Sequence, residues 1–165
     1  DKLITEYGKE VARQCKEMGI QINFAPDIDV NSNTDNPVIG LRSFGENPRA
    51  VADKGIAYAR GLETAGIISV AKHFPGHGDT SDDSHNTLPA VHHDRARLDS
   101  VELYPFKRYI YDGYAGVMTG HLYVPALDKT RNLLFPSDCN GTVAGRTRFQ
   151  RPLLHRRAGH ERCYD

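Results

Sequence analysis

The chain has 165 residues, enough for one domain with a real hydrophobic core. Its 21 basic residues balance 21 acidic ones, which argues against bulk attraction to nucleic acid or to an anionic membrane. No apolar run approaches the roughly 20 residues of a membrane span, and Cys15, Cys139 and Cys163 are spaced unlike a zinc or disulfide framework. The chain starts at Asp1, inside a helical pattern, so it reads as a fragment whose compartment its own ends do not reveal.

Taken in order, residues 1–18 carry apolar positions at Leu3, Ile4, Tyr7, Val11, Cys15 and Met18, a spacing that predicts a helix capped by Gly19. Cys15 is expected to be a small buried filler. Ile22 to Pro26 predicts a strand, and Asp27 to Gly45 a long loop rich in Asn, Asp, Pro and Gly. A second helix is expected from Pro48 to about Thr64, with Val51, Ile56, Tyr58, Ala59 and Leu62 facing inward. Gly66 ends it before the β-branched strand Ile67 to Ala71. A third helix over 94–112 and a strand over 116–120 complete the regular part.

Helices and strands thus alternate, with long loops after the strands, which predicts parallel βα units. This pattern favours part of a (β/α)8 TIM-type barrel over a doubly wound sheet. No Gly-x-Gly-x-x-Gly fingerprint follows any strand, which weakens a nucleotide-binding reading.

Chemistry concentrates in Lys72 to His85, KHFPGHGDTSDDSH, with three histidines and three aspartates behind an apolar run. Strand ends of βα folds are where reactive groups gather, whereas a plain polar connection is the bland alternative. Asp83 and His85 are one residue apart, so in a turn the carboxylate can orient the imidazole and raise its basicity, making a general acid/base. An Asx-type loop with an exposed histidine is the competing reading. Lys72 and His73 can donate to substrate hydroxyls. His73, His77 and His85 with Asp79, Asp82 or Asp83 can also be drawn as a metal site, but the spacing matches no HExxH helix and Pro75 disfavours a helical His73/His77 face. Asp29, beyond the first strand, reads either as a pocket residue or as a turn residue.

INFAPDIDVNSNTDNPVIGLRSFGENP, then AKHFPGHGDTSDDSHNTLP, then MTGHLYVPALD, closely resembles the N-terminal catalytic domain of glycoside hydrolase family 3, over residues 1 to about 132. The likeness is to the exo-β-N-acetylglucosaminidase branch, in which a loop Asp-x-His dyad supplies the acid/base. It implies an incomplete barrel at both ends and a retaining attack on terminal β-linked N-acetylglucosamine, from glycans or muropeptides. It further implies Asp83 and His85 as the dyad, with Arg42, Lys72 and His73 on the sugar. It implies no cofactor and no metal; the expected partner is a carbohydrate, with no nucleic acid and no membrane segment, in a bacterial cytoplasm or periplasm that the sequence does not distinguish. A non-catalytic sugar-binding relic and, further off, a metal-dependent hydrolase are the alternatives.

The family's nucleophile, in a Thr-Asp-Ala-Leu-like motif, is missing from the written chain. Residues 133–165 instead form an arginine-rich, lysine-free tail without helical or strand period. Back-translated and read one nucleotide later, Phe149 to Tyr164 can encode FKGLFFTDALDMKGVT, and Gly141 to Arg148 can yield GLLQEELG. A frame shift near Leu133 to Pro136 is therefore expected, with the nucleophile codon straddling Arg156 and Arg157, and the literal chain is expected to be inactive.

Overall fold

The computed structural model describes residues 1–81, 88–114 and 116–127. Helix α1, Lys2–Glu17, leads through Gly19 at φ 74° into the short strand β1, Ile22–Asn23. A 3₁₀ turn over Gly40–Arg42 interrupts the following loop. Helix α2, Pro48–Thr64, begins with Pro48 in its first turn, and the Asn47 side chain accepts from the Arg49 and Ala50 amides. That is the arrangement a helix start requires, because the first turn's N–H groups have no carbonyl behind them.

Strands β2, Ile68–Ser69, and β3, Ala71–Phe74, follow in one extended run. Its first half pairs parallel with β1, Ile22 against Ile68. Its second half pairs parallel with β4, Val117–Thr119, Ala71 against Val117. The run therefore lies between strands that precede and follow it in the chain, with helices in the crossovers. This is the sequential parallel order of a barrel wall rather than of a sheet whose order reverses. The observed strand reaches Phe74, three residues past the expected end, so Lys72 and His73 lie within it.

The expected helix over 94–112 is two helices, α3, Arg95–Ser100, and α4, Tyr104–Tyr111. Pro105 explains the break: it has no N–H to donate, and its ring would meet the carbonyl one turn back. Asp94 caps α3 by accepting from the Arg97 amide.

The inward positions expected of α2 are all buried. The apolar positions of α1 divide: Cys15 is buried and Ile4 and Val11 are half-buried, whereas Leu3, Tyr7 and Met18 are exposed and Gly8 and Ala12 face inward. The reason is a close helix crossing. A Cβ on Gly8 would stand 2.5 Å from the Tyr58 carbonyl oxygen, and one on Gly61 would stand 2.3 Å from that of Thr5. Small residues set that contact, so the largest apolar side chains of α1 are displaced from it.

The main core gathers Ile28, Val30, Val51, Ile56, Phe74, Leu98, Phe106 and Tyr109 between the strands and α2 to α4. Phe74 meets Phe106 edge-on at 5.5 Å, an arrangement that suits the ring quadrupoles. A second cluster of Ala12, Cys15, Tyr58, Leu62 and Ile67 fills the space between α1 and α2. Cys15 is buried and free, as its helical position suggested.

Candidate active site

The segment after β1 alternates Asp27, Ile28, Asp29, Val30, and Ile28 and Val30 are buried in the core. It continues beside β3: the Ile28 amide donates to the Lys72 carbonyl at 2.9 Å, and the Lys72 amide donates to that of Pro26 at 3.0 Å. The two carboxylates are thereby delivered to the strand that carries His73. The Ala25–Pro26, Lys72–His73 and Phe74–Pro75 peptide bonds are cis.

Asp29 is the hub. Its carboxylate is 0% exposed and accepts three hydrogen bonds, from the His73 amide at 3.1 Å, from His73 Nδ1 at 2.7 Å and from the His77 amide at 2.6 Å. Burial opposes its charge, but the hydrogen bond from His73, followed by those from Asp27 and the His77 amide, outweighs it and holds the carboxyl below its ordinary value. The turn His73 to His77 is thus wrapped around one buried anion. Gly76, at φ 131°, is required there, since a Cβ would lie 2.8 Å from that of Glu102.

Arg42 stands at the rim, its side chain 44% exposed. One guanidinium nitrogen lies 3.2 Å from Asp27 Oδ2 and 3.5 Å from His73 Nε2, and the other donates to the Val38 carbonyl at 3.1 Å. A donor facing Nε2 leaves that nitrogen as acceptor, consistent with the proton sitting on Nδ1 toward Asp29. The Asp27 carboxyl is pushed up to about 8, first by burial and then by the charge of Asp29, against the pull of Arg42. Lys72 is half-buried, and among the described residues its ammonium has no hydrogen-bond or ion-pair partner.

Three of the five sequence-derived site residues, Arg42, Lys72 and His73, therefore occupy adjoining positions, Arg42 and His73 in direct contact. Asp83 and His85 lie outside the described residues. Asp27 and Asp29, which organise the other three, were less legible. Their signal was the spacing of two acids on alternate positions between core residues, which turns both toward one face of the extended chain.

The metal set drawn from the histidine-rich segment is not the group that assembles among the described residues. There, Asp27, Asp29 and His73 place ligand-type atoms within 4.8 Å of one another. The Asp29 oxygens already bond His73 and His77, and Arg42 sits on Asp27. His77 is buried with Nδ1 at 2.7 Å from Thr80 Oγ1. These contacts describe a hydrogen-bonded polar cradle with a cation at its rim, suited to hydroxyl groups.

Comparison with known proteins agrees with this geometry. Residues 1–143 match the family model described as the glycosyl hydrolase family 3 N terminal domain. Beta-hexosaminidase A of Pseudoalteromonas piscicida is 46% identical over 132 residues, 79% of this chain and 22% of that protein. The structure of a glycoside hydrolase family 3 beta-N-acetylglucosaminidase from Paenibacillus sp. superimposes with a TM-score of 0.77 at 45% identity, covering 79% of this chain and 25% of the other. NagZ from Neisseria gonorrhoeae, solved in complex with N-trifluoroacetyl-D-glucosamine, gives 0.70 at 37% identity over 76% of this chain and 36% of its own. The chain thus spans between about a fifth and a third of these relatives. Its parallel βα order and its matched sequence together make it a partial TIM-barrel-like α/β unit, and the chain belongs to the N-terminal domain family of glycosyl hydrolase family 3.

Proposed function

We propose that this chain is the sugar-gripping middle of a retaining exo-β-N-acetylglucosaminidase, acting on terminal β-linked N-acetylglucosamine of glycans or muropeptides. The observation that carries the reading is the Asp29 hub, which holds His73 against Arg42 at the strand ends. Relatives named beta-hexosaminidase and beta-N-acetylglucosaminidase support it. In this reading His73 Nε2 accepts from a sugar hydroxyl, while Lys72 and Arg42 donate to others. Buried Asp29 fixes the imidazole so that binding does not have to order it.

Asp83 and His85 supply the acid/base. Asp83 orients the imidazole, which first gives a proton to the leaving glycosidic oxygen and then takes one from the attacking water. The nucleophilic carboxylate belongs to the Thr-Asp-Ala-Leu motif that the shifted frame encodes beyond residue 132. The barrel part is residues 1–132, and 133–165 is the misread remainder. No cofactor or metal takes part, and the partner is carbohydrate alone.

The test is turnover of 4-nitrophenyl β-N-acetylglucosaminide by the full-length gene product read in the restored frame. Turnover is expected to survive chelators, and His85→Ala is expected to lower kcat/KM on a sugar-linked substrate by about 10²–10⁴-fold. Binding of N-acetylglucosamine without turnover would point to a relic instead, and loss of activity with a chelator to a metallohydrolase.

A further inference from the structure

Asp27 is a part of the cradle that the sugar contacts proposed above do not use. Its side chain is 10% exposed, against 44% for Arg42. Asp27 and Asp29 are hydrogen-bonded side chain to side chain, and two carboxyl groups can bond in this way only through a proton. The proton belongs to Asp27. Each Asp29 oxygen already accepts from a backbone amide, that of His73 or of His77, and His73 Nδ1 adds a further donor. The loop that carries Arg42 rests on the same short segment. Ser43 Oγ donates to the Asp29 carbonyl at 2.6 Å, and the Asn31 amide to that of Gly45 at 3.0 Å, which fixes the backbone just after Arg42. A fixed backbone does not by itself set a side chain with several rotatable bonds. At the far end of that side chain, Nη1 donates to the Val38 carbonyl at 3.1 Å, while Nη2 lies 3.2 Å from Asp27 Oδ2 and 3.5 Å from His73 Nε2. Val38 and Asp27 thus hold different nitrogens of a planar group, which fixes its plane.

We infer that Asp27 is a positioning residue for Arg42: as a neutral acid it faces the guanidinium with an oxygen and sets the plane in which Arg42 meets the sugar, without cancelling its positive charge. The inference rests on the glycosidase reading above, in which Arg42 donates to a sugar hydroxyl, and extends it to a residue that touches no substrate. An ionised aspartate in the same place would pair fully with Arg42 and compete with the sugar oxygens for its N–H groups. A hydrocarbon there would leave the long side chain to be ordered by each sugar that binds, a cost that is read as lost affinity. A neutral oxygen avoids both. The Asp29 anion that holds His73 also keeps the proton on Asp27, so one buried charge prepares both sugar-binding side chains.

The test takes Asp27→Asn, Asp27→Leu, Arg42→Met and the double variant Asp27→Leu/Arg42→Met in the full-length product of the restored frame. kcat and KM are measured separately on 4-nitrophenyl β-N-acetylglucosaminide. Asp27→Asn can present an oxygen to Arg42 and an NH₂ to Asp29, the pattern of the protonated acid, whereas Asp27→Leu matches the size and offers neither. Expected for Asp27→Leu is a KM raised about 10-fold with kcat within about threefold of wild type, because the contact serves binding and not the reacting bond. Asp27→Asn is expected to rescue KM to within about threefold of wild type. In the Arg42→Met background, Asp27→Leu is expected to add less than about twofold, a coupling that a merely structural role would not produce. If Asp27→Leu does not fold, Asp27→Ser, too short to reach the guanidinium, takes its place under the same criteria. An unchanged KM in that variant, an equal loss in Asp27→Asn, or full additivity with Arg42→Met overturns this inference alone. Absence of wild-type turnover overturns the glycosidase reading and this inference with it.

Discussion

Asp29 and Asp27 are two residues apart and chemically identical, yet the structure gives them opposite roles. Asp29 is an anion buried under three donors, so truncating it leaves His73 Nδ1 and two amides without their buried acceptor. Removing one partner of such a buried charge network costs about 3–5 kcal/mol, far more than a surface ion pair contributes. Asp29→Ala is therefore expected to lower the unfolding free energy by about 3–5 kcal/mol in urea melts; a change below about 1 kcal/mol would show that the hub is not structural. Asp27 carries a proton over much of the pH range, raised from 3.8 to about 8 by burial and by Asp29. The folded state then binds a proton that the unfolded chain has released, so this group's contribution is full below the ordinary carboxylate range and is lost as pH rises toward about 8. Asp27→Asn, an uncharged mimic of that protonated form, is expected to stay within about 1 kcal/mol of wild type and to flatten the slope of melts over that window. Lys72 and His73 stood out in the sequence because a lysine and a histidine side by side at a strand end are an unusual use of those residues. Asp29 was legible only as a pocket or a turn residue, because a carboxylate's burial is decided by the neighbouring strand, which spacing along one segment does not reveal.

Among the elements, α1 and α2 meet through Gly8 and Gly61, whose Cα atoms replace side chains at the crossing. Alanine is worth about 1 kcal/mol over glycine inside a helix, which taken alone predicts stabilisation. The added methyl of Gly61→Ala would lie 2.3 Å from the Thr5 carbonyl oxygen and 2.8 Å from the Gly8 Cα, both backbone atoms that no rotamer change can move. Separating the helices costs about 1–3 kcal/mol, so the clash wins. Gly61→Ala is expected to lower the denaturant midpoint at unchanged m-value, and a rise in the midpoint would mean that the helices do not cross here. The same contact explains why the apolar spacing of α1 marked the helix correctly and its buried face only in part. Hydrophobic periodicity assumes that large apolar residues lie inside, whereas a backbone-to-backbone crossing selects glycine and alanine. The break before α4 was written in Pro105, a breaker that the apolar positions around it masked.

For the whole molecule, the consistent levels are those set by local pattern. Helix starts, glycine stops and β-branched runs predicted parallel βα units, and the pairing of β2 and β3 with β1 and β4 bears that out. The tail is the place where the levels disagree. The described residues up to 127 build two hydrophobic clusters and the Asp29 cradle, and the family match runs to residue 143. From 133 onward the written residues show no helical or strand period, whereas suitable codons for them, read one nucleotide later, can encode a strand that ends in Thr-Asp-Ala-Leu. A single displaced base changes every later residue while leaving the upstream ones intact, so the proposed frame shift confines the change to the tail; gradual decay would scatter changes through the cradle at Asp29 as well. Sequencing the DNA from the codon of Arg131 past that of Asp165 is expected to show one base missing or extra between the codons of Leu133 and Pro136. The restored frame would then place Thr-Asp-Ala-Leu at the end of the next strand, on the same rim as Arg42 and His73. If the written frame is confirmed, the arginine-rich segment is the true continuation, and the proposed reading becomes that of a relic, expected to bind N-acetylglucosamine with no route to a glycosyl-enzyme intermediate.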